Sequence, residues 1–337
     1  VRESPTIRLI PFALHNKENL MNKTVCIFGG AGFVGHYITG LLIEKGYQVR
    51  IVARHPQRNK DLMVFPGLKL VHGTPADQAV RDEALQGCDL AINLIGILNE
   101  KGRDGRGFRQ IHVDLAKDIL QSCIDNKVPR LLHMSALNAD SSKGSSHYLR
   151  SKGEAENYLH TFTGRNIHIT SFRPSVIFGP GDSFLNRFAQ LLKLSPIMPL
   201  ACPDARFAPV YVGDVAEAFV NSIDDKQTFG QRIELCGPHQ YTLEELVEYT
   251  ALCLGKHRVI AGLTDWASRL QARVMDFVPG KPFSTDNYNS LQQDSVCKEG
   301  TPCPTPIEAI APYYLGKGDI NTQLQEHRHW ARRESRS

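Results

Sequence analysis

No stretch of this chain approaches the ~20 consecutive apolar residues that a membrane-spanning helix needs, so no transmembrane span is expected. An excess of one charge is missing too. Basic residues number 39 against 35 acidic ones, for a formal net charge of +4, and no basic helix with interleaved aromatics occurs, so nucleic acid is not an expected partner. Metal-ligand spacing is also lacking. The eight cysteines are scattered, mostly inside apolar runs where they read as small hydrophobes, and this argues for a reducing compartment. Cys297 and Cys303 form the only close pair, in a loop with Pro302 and Pro304, without further ligands for zinc; no metal is expected. The first twenty residues have no continuous apolar core of secretory length and contain Pro5 and Pro11. Residues 1–20 are therefore expected to be a leader from an upstream start, with Met21 three residues before the first strand. The expected location is cytoplasmic, or peripheral at the inner face of a membrane.

What is present is the composition of a globular protein, 42% apolar and 22% charged, enough for one large α/β domain with a smaller appendage. Residues 24–46, TVCIFGGAGFVGHYITGLLIEKG, organise it. An apolar run breaks into a glycine cluster and then into apolar residues at helical spacing, which predicts a buried strand, a tight turn and an amphipathic helix. Gly30, Gly32 and Gly35 fit G-x-G-x-x-G, and Gly29, Gly32 and Gly35 fit G-x-x-G-x-x-G. Either register lets a dinucleotide's pyrophosphate approach bare backbone at Gly29, Gly30, Gly32, Phe33, Val34 and Gly35 on a helix N-terminus.

A second strand, YQVRIVAR, ends on Ala53 and Arg54, with Arg58 close behind. An NAD site commonly has an acidic residue there for the ribose 2′-OH; a guanidinium suits a 2′-phosphate instead, which favours NADP(H) over NAD(H). The plainer alternative is that Arg54 is a solvated loop charge. Strands are expected at 68–72, at 88–98, where Asn93 and Gly96 should face the cofactor, and at 130–137, which delivers Ser135 at its C-terminal end. Helices are expected at 77–86 and 108–126. Tyr148 and Lys152 then fall four apart on one helical face, where an ammonium would pull the phenol pKa down from its ordinary ~10 and make it a usable acid or base.

With GGAGFVG, NLIG, Ser135, YLRSK and FRPSVIFGPGD in place, the chain resembles the short-chain dehydrogenase/reductase superfamily in its extended, epimerase/dehydratase-like branch. The resemblance implies a Rossmann doubly wound parallel sheet (21–181), a smaller C-terminal α/β substrate region (182–320) interleaved with the last strands, and a basic tail (321–337). It also implies Tyr148 as proton donor and acceptor, Lys152 on the nicotinamide ribose, Ser135 on the substrate carbonyl, and the Arg173-Pro174 backbone beside the carboxamide. Thr74 and His112 depart from it: many relatives carry aspartate at the first position, against the adenine, and asparagine at the second. A narrower likeness, over 21–315, is to the Rossmann-type NADPH-binding accessory subunit of respiratory complex I and its bacterial relatives. It implies a respiratory or quinone-biosynthesis complex as partner and a nucleotide that is structural in the mitochondrial subunit. Two functions are thus expected in order: an NADP(H)-dependent oxidoreductase acting on a carbonyl or alcohol carbon of a small, hydrophobic or quinone-like substrate, and a nucleotide-bound structural or assembly protein.

In the C-terminal region, helices are expected at 183–194, from Asp214 as N-cap, and at 242–254 behind a Thr242/Glu245 capping box, with strands at 208–212 and 231–236. Residues 264–278 place Trp266, Leu270, Val274 and Phe277 at helical spacing with Arg269 and Arg273 among them. A core-facing helix is the favoured expectation; a lid, a membrane-surface helix or a wall for a hydrophobic substrate are the alternatives. The tail concentrates Arg328, Arg332, Arg333 and Arg336 near Trp330, and is expected to be disordered, with weak attraction to an anionic membrane as the second choice.

Overall fold

The computed structural model describes residues 23–316 except 56, 58–61, 63, 64, 280 and 299. Arg58, the expected leader and the basic tail lie outside the described residues.

Seven strands form one sheet: β1 Thr24–Phe28, β2 Gln48–Ala53, β3 Leu68–His72, β4 Leu90–Asn93, β5 Arg130–Met134, β6 His168–Pro174 and β7 Arg232–Leu235. Their spatial order is β7-β6-β5-β4-β1-β2-β3, and every pairing is parallel. Because central parallel strands are covered on both faces, β1 and β5 read as unbroken apolar runs and are buried almost throughout. Chain order reverses between β1 and β4, so the carboxyl ends of these two strands border the crevice where ligands sit in such sheets.

The helices are α1 Phe33–Glu44, α2 Gln78–Leu85, α3 (Arg106–Phe108, a π segment Arg109–Asp114, then Leu115–Asp125), α4 His147–His160, α5 Phe184–Leu194, α6 Val212–Asn221, α7 Leu243–Cys253, α8 Asp265–Met275, α9 Thr285–Ser290 and α10 Ile307–Leu315. On one face of the sheet Ile38 and Leu42 of α1 pack with Val215 and Phe219 of α6. On the other, Leu85, Ile119, Ala155 and Leu159 bring α2, α3 and α4 together. The smaller region has its own core, with Leu185, Leu192, Leu246 and Ala311 from α5, α7 and α10, and is braced by short strand pairs such as Ile197–Leu200 with Val259–Gly262.

Several elements differ from the sequence expectation for identifiable reasons. The apolar run 88–98 is a strand only as far as Asn93, because the Asn93 side chain accepts the Ile95 N–H at 3.1 Å and turns the chain out of the sheet. The strand expected at 130–137 stops at Met134. The strand expected at 208–212 shrinks to Val210–Tyr211, and α6 starts at Val212, with Tyr211 at the N-cap position and no side-chain capping bond. Asp214 is not its N-cap; its carboxylate accepts the Thr305 N–H and hydroxyl at 3.0 and 2.8 Å and fastens the approach to α10. The Thr242/Glu245 capping box forms as expected.

Two corrections are larger. Cys297 forms a disulfide with Cys236, 61 residues away, and the other six cysteines are free thiols. The expectation of fully reduced cysteines fails here because the segment after α9 folds back on the end of β7, placing these two Cα atoms 5.9 Å apart. Helix α8 is not core-facing through its apolar residues: Ser268 and Ala272 are the buried positions, and Trp266, Leu270 and Val274 are exposed. Among the described residues no helix is long and apolar enough to cross a membrane, and no group of three or more His, Cys, Asp or Glu could hold a metal ion.

Candidate functional site

The glycine turn sits at the carboxyl end of β1. Gly29 has φ +85, a left-handed conformation that a side chain rarely adopts, and its carbonyl accepts the Gly32 N–H at 3.0 Å to close the turn. A Cβ on Gly35 would lie 2.5 Å from the Gly30 carbonyl oxygen and 2.6 Å from that of Gly29, and one on Gly30 would lie 2.8 Å from Ile51. The glycines therefore let α1 approach the strand closely. No side chain caps α1, so the first-turn N–H groups, those of Phe33, Val34 and Gly35, have no intrahelical acceptor. This cradle fits the pyrophosphate of a dinucleotide. Phe33 stacks edge-on with Tyr37, whose hydroxyl donates to the Pro180 carbonyl at 3.1 Å, and Val34 packs into the core beneath.

Arg54 follows the last residue of β2, is exposed, and makes no hydrogen bond or ion pair among the described residues. Asn93 is buried; besides its turn with Ile95, its carboxamide meets His133 Nδ1 at 3.3 Å, so it faces inward along the sheet. Gly96 packs on Lys152, and a Cβ there would come within 3.1 Å of the ammonium.

Helix α4 carries the Tyr148–Lys152 pair, and the structure keeps the two one turn apart. Lys152 is buried and donates to the Met134 carbonyl at 2.9 Å; burial pushes its pKa down to about 8 although Glu156 opposes the shift. Tyr148 lies edge-on to Phe108 and His112, with ring centroids 6.0 and 5.5 Å away. Its phenol is pushed up to about 12, by burial and then by the Asp286 charge, so the expected lowering by Lys152 is overturned. The Lys152 ammonium is turned to the Met134 carbonyl, and burial, which disfavours the phenolate, is the larger cause of the rise.

Ser135 lies at the end of β5 as expected, yet its hydroxyl points into the protein and donates to Glu156 Oε2 at 2.6 Å. Glu156 is fully buried and also receives Arg173 at 3.0 Å and Arg232 at 2.6 Å. Ser135, Glu156, Arg173 and Arg232 thus form one polar cluster around the buried Glu156 carboxylate, and the Ser135 hydroxyl proton is spent on Glu156. Pro174 ends β6, where its carbonyl accepts the Leu137 N–H at 3.0 Å.

His112, in the π segment, is buried. Its Nε2 accepts the Ile97 N–H at 3.0 Å, which leaves Nδ1–H to donate to Ser151 Oγ at 2.8 Å; Ser151 in turn donates to the Tyr148 carbonyl. Burial, and then the Lys152 charge, keep His112 neutral, its pKa pushed down to about 2. Sequence reasoning missed Asp286 and Glu156. Glu156 had a signal, an acid four residues beyond Lys152 on the same face; Asp286 had none, since α9 reaches α4 only through the tertiary fold.

Comparison with known proteins agrees with this architecture. The chain is 32% identical over 247 residues to the mitochondrial NADH dehydrogenase (ubiquinone) 1 alpha subcomplex subunit 9 of Mus musculus, an alignment covering 72% of this chain and 64% of the relative. It is 31% identical over 314 residues to the corresponding Rattus norvegicus protein, covering 89% and 81%. The structure of the Thermus thermophilus UDP-glucose 4-epimerase complexed with NAD superimposes with a TM-score of 0.61 at 19% identity, over 80% of this chain and 99% of that one, which speaks for the fold alone. The sequence profile of the NAD dependent epimerase/dehydratase family matches residues 25–236, and with the glycine cradle and the seven-stranded sheet in place the chain belongs to that family.

Proposed function

We propose that this chain binds NADP(H) on the glycine turn and holds it as a lasting component of a respiratory or quinone-biosynthetic assembly. The observation that carries this reading is the Ser135 hydroxyl, which is engaged by Glu156 inside the Arg173–Arg232 cluster and so is not available to polarise a carbonyl beside Tyr148. The subunit names of the mouse and rat relatives point the same way. The first-turn amides of α1 would hold the pyrophosphate, with Gly29, Gly30, Gly32 and Gly35 admitting it. Arg54, exposed and without a partner among the described residues, would pair with the 2′-phosphate and so favour NADP(H) over NAD(H). Lys152 would reach the nicotinamide ribose, and Pro174 would border the ring.

A second reading, an oxidoreductase, is favoured by the Tyr148–Lys152 pair. When bound, the nicotinamide supplies a hydride donor or acceptor. Tyr148 would exchange a proton with the oxygen of a hydrophobic or quinone-like carbonyl or alcohol, and Lys152, poised at about 8, would steady it. Ser135 would have to turn away from Glu156 to assist.

The test is to purify the protein from its own host, identify the retained nucleotide and add carbonyl and quinone compounds while following NADPH absorbance. Retained NADPH that is never oxidised, with Tyr148→Phe indistinguishable from wild type in cells, supports the structural reading. Oxidation that Tyr148→Phe abolishes moves the conclusion to the enzyme. Titration of NADPH and NADH against wild type and Arg54→Asp tests the cofactor preference; tighter NADH binding by wild type refutes it.

A further inference from the structure

Helix α8 is amphipathic in the reverse of the usual sense. Its inward side is Ser268 and Ala272, both fully buried, with Ser268 Oγ accepting the Cys202 N–H at 3.1 Å. On the opposite side Trp266, Leu270 and Val274 are 70%, 52% and 56% exposed, and Phe277 just beyond the helix is 76% exposed. At ~100° per residue the stripe and the buried pair lie about half a turn apart, so the apolar residues face away from the protein. A scatter of single exposed apolar side chains is ordinary; a continuous stripe of four marks a contact surface.

The charges around the stripe identify its partner. Arg269 and Arg273 are exposed on one flank, and the Arg103 guanidinium lies over the Phe277 ring at 3.9 Å. Of the neighbouring acids, Asp265 is exposed, accepts the Tyr288 hydroxyl and pairs with Arg269 at 3.3 Å, while Asp276 is half-buried and accepts the Thr285 N–H and hydroxyl at 3.2 and 2.7 Å. An apolar stripe with aromatics at both ends and arginines on its rim matches the boundary between lipid headgroups and acyl chains.

We propose that this face docks on an anionic phospholipid bilayer, with Trp266, Leu270, Val274 and Phe277 entering the headgroup–acyl boundary and Arg269, Arg273 and Arg103 meeting lipid phosphates. The helix is already formed on the packed lobe, so docking requires no folding step. Arg103 belongs to the loop fastened by Lys281, whose Nζ donates to the carbonyls of Glu100, Lys101 and Gly102. The same loop reaches α4 at Gly105, where a Cβ would lie 2.5 Å from His147.

The experiment is flotation of the full chain with vesicles of phosphatidylcholine alone and with about one-third phosphatidylglycerol. Exposed Arg103 and Arg273, with Arg269 shared with Asp265, predict partition into the anionic vesicles about tenfold above the neutral ones, weakening with salt. The surface variant Trp266→Ser/Leu270→Ser/Phe277→Ser lowers that partition about tenfold or more, with unchanged circular dichroism and thermal unfolding. In a Trp330→Phe background, Trp266 emission shifts to the blue on vesicle addition. A tail variant with Arg328, Arg332, Arg333 and Arg336 changed to Gln keeps binding. A wild type that stays off anionic vesicles, including one that uses this face for a soluble protein instead, overturns the proposal. So does binding that survives the triple substitution but is lost in the tail variant.

Discussion

Asp286 caps the helix that carries Tyr148: its carboxylate accepts the Tyr148 main-chain N–H at 3.1 Å and that of His147 at 2.7 Å, across 138 residues of sequence. Ser146 completes the cap by accepting the Leu149 N–H at 3.1 Å, and Ser290 donates to Ser146 at 2.8 Å. The smaller region therefore fixes the position of the tyrosine and also its electrostatics, because the Asp286 charge contributes to raising the phenol pKa to about 12.

Replacing Asp286 with Asn removes the charge and keeps one acceptor. The Tyr148 pKa then falls from about 12 toward its ordinary value, by less than the full difference because burial is the larger cause. Absorbance titration of wild type and Asp286→Asn, each against Tyr148→Phe, reads this; an unchanged or higher phenol pKa contradicts it. Asp286→Ala additionally loses the cap and about 1 kcal/mol of stability, read from urea unfolding.

Lys152 makes stability depend on pH in a defined direction. Its folded pKa is about 8 against an unfolded 10.5, so between these values the unfolded chain binds more protons and stability rises with pH. The contribution is fully present above the unfolded pKa and is lost as pH falls through about 8. Buried thiols and Tyr148, with raised pKa values, act in the opposite sense at alkaline pH. The difference between wild type and Lys152→Met is therefore the quantity to measure. From about pH 8 to 9 wild type should gain roughly 1 kcal/mol relative to the variant in urea unfolding; a flat difference shows that the lysine titrates normally.

Gly35→Val places a side chain where even a Cβ lies 2.5 Å from the Gly30 oxygen. Helix α1 has to lift from the turn, so we expect a loss of about 1–3 kcal/mol in unfolding and loss of NADPH binding by fluorescence titration. Gly40→Ala on the same helix meets nothing within 4 Å and should bind as wild type does. Equal damage from the two would point to a general helix effect.

The Cys236–Cys297 bond closes a loop of 61 residues and should add about 4 kcal/mol by restricting the unfolded chain. Thiol titration of unreduced, denatured protein is expected to find the six free cysteines, rising to eight after reduction. Eight thiols before reduction would return the chain to the fully reduced state expected from its sequence.

Much of the fold was legible because its signals are local. The apolar runs of β1 and β5, the glycines of the turn and the Thr242/Glu245 box each determine their element through contacts within a few residues. The i, i+4 spacing is likewise enough to place Tyr148 and Lys152 on one helical face. Other features depend on which distant segments meet. Asp214 resembles an N-cap locally but is claimed by Thr305, and α8 has a core-like apolar stripe, yet the lobe packs on its Ser268 and Ala272 side. Cys297 found Cys236 because a returning segment brought it there.

The sequence by itself determined the doubly wound sheet, the glycine cradle and the identity of the residues around it. Only the tertiary structure decided what those residues can do. Burial and Asp286 raise the Tyr148 phenol instead of lowering it, and Glu156 holds the Ser135 hydroxyl. The physical reason is that periodicity and turn chemistry act over one or two turns of chain, while desolvation and buried charge pairs arise only when elements far apart in sequence close over the same site.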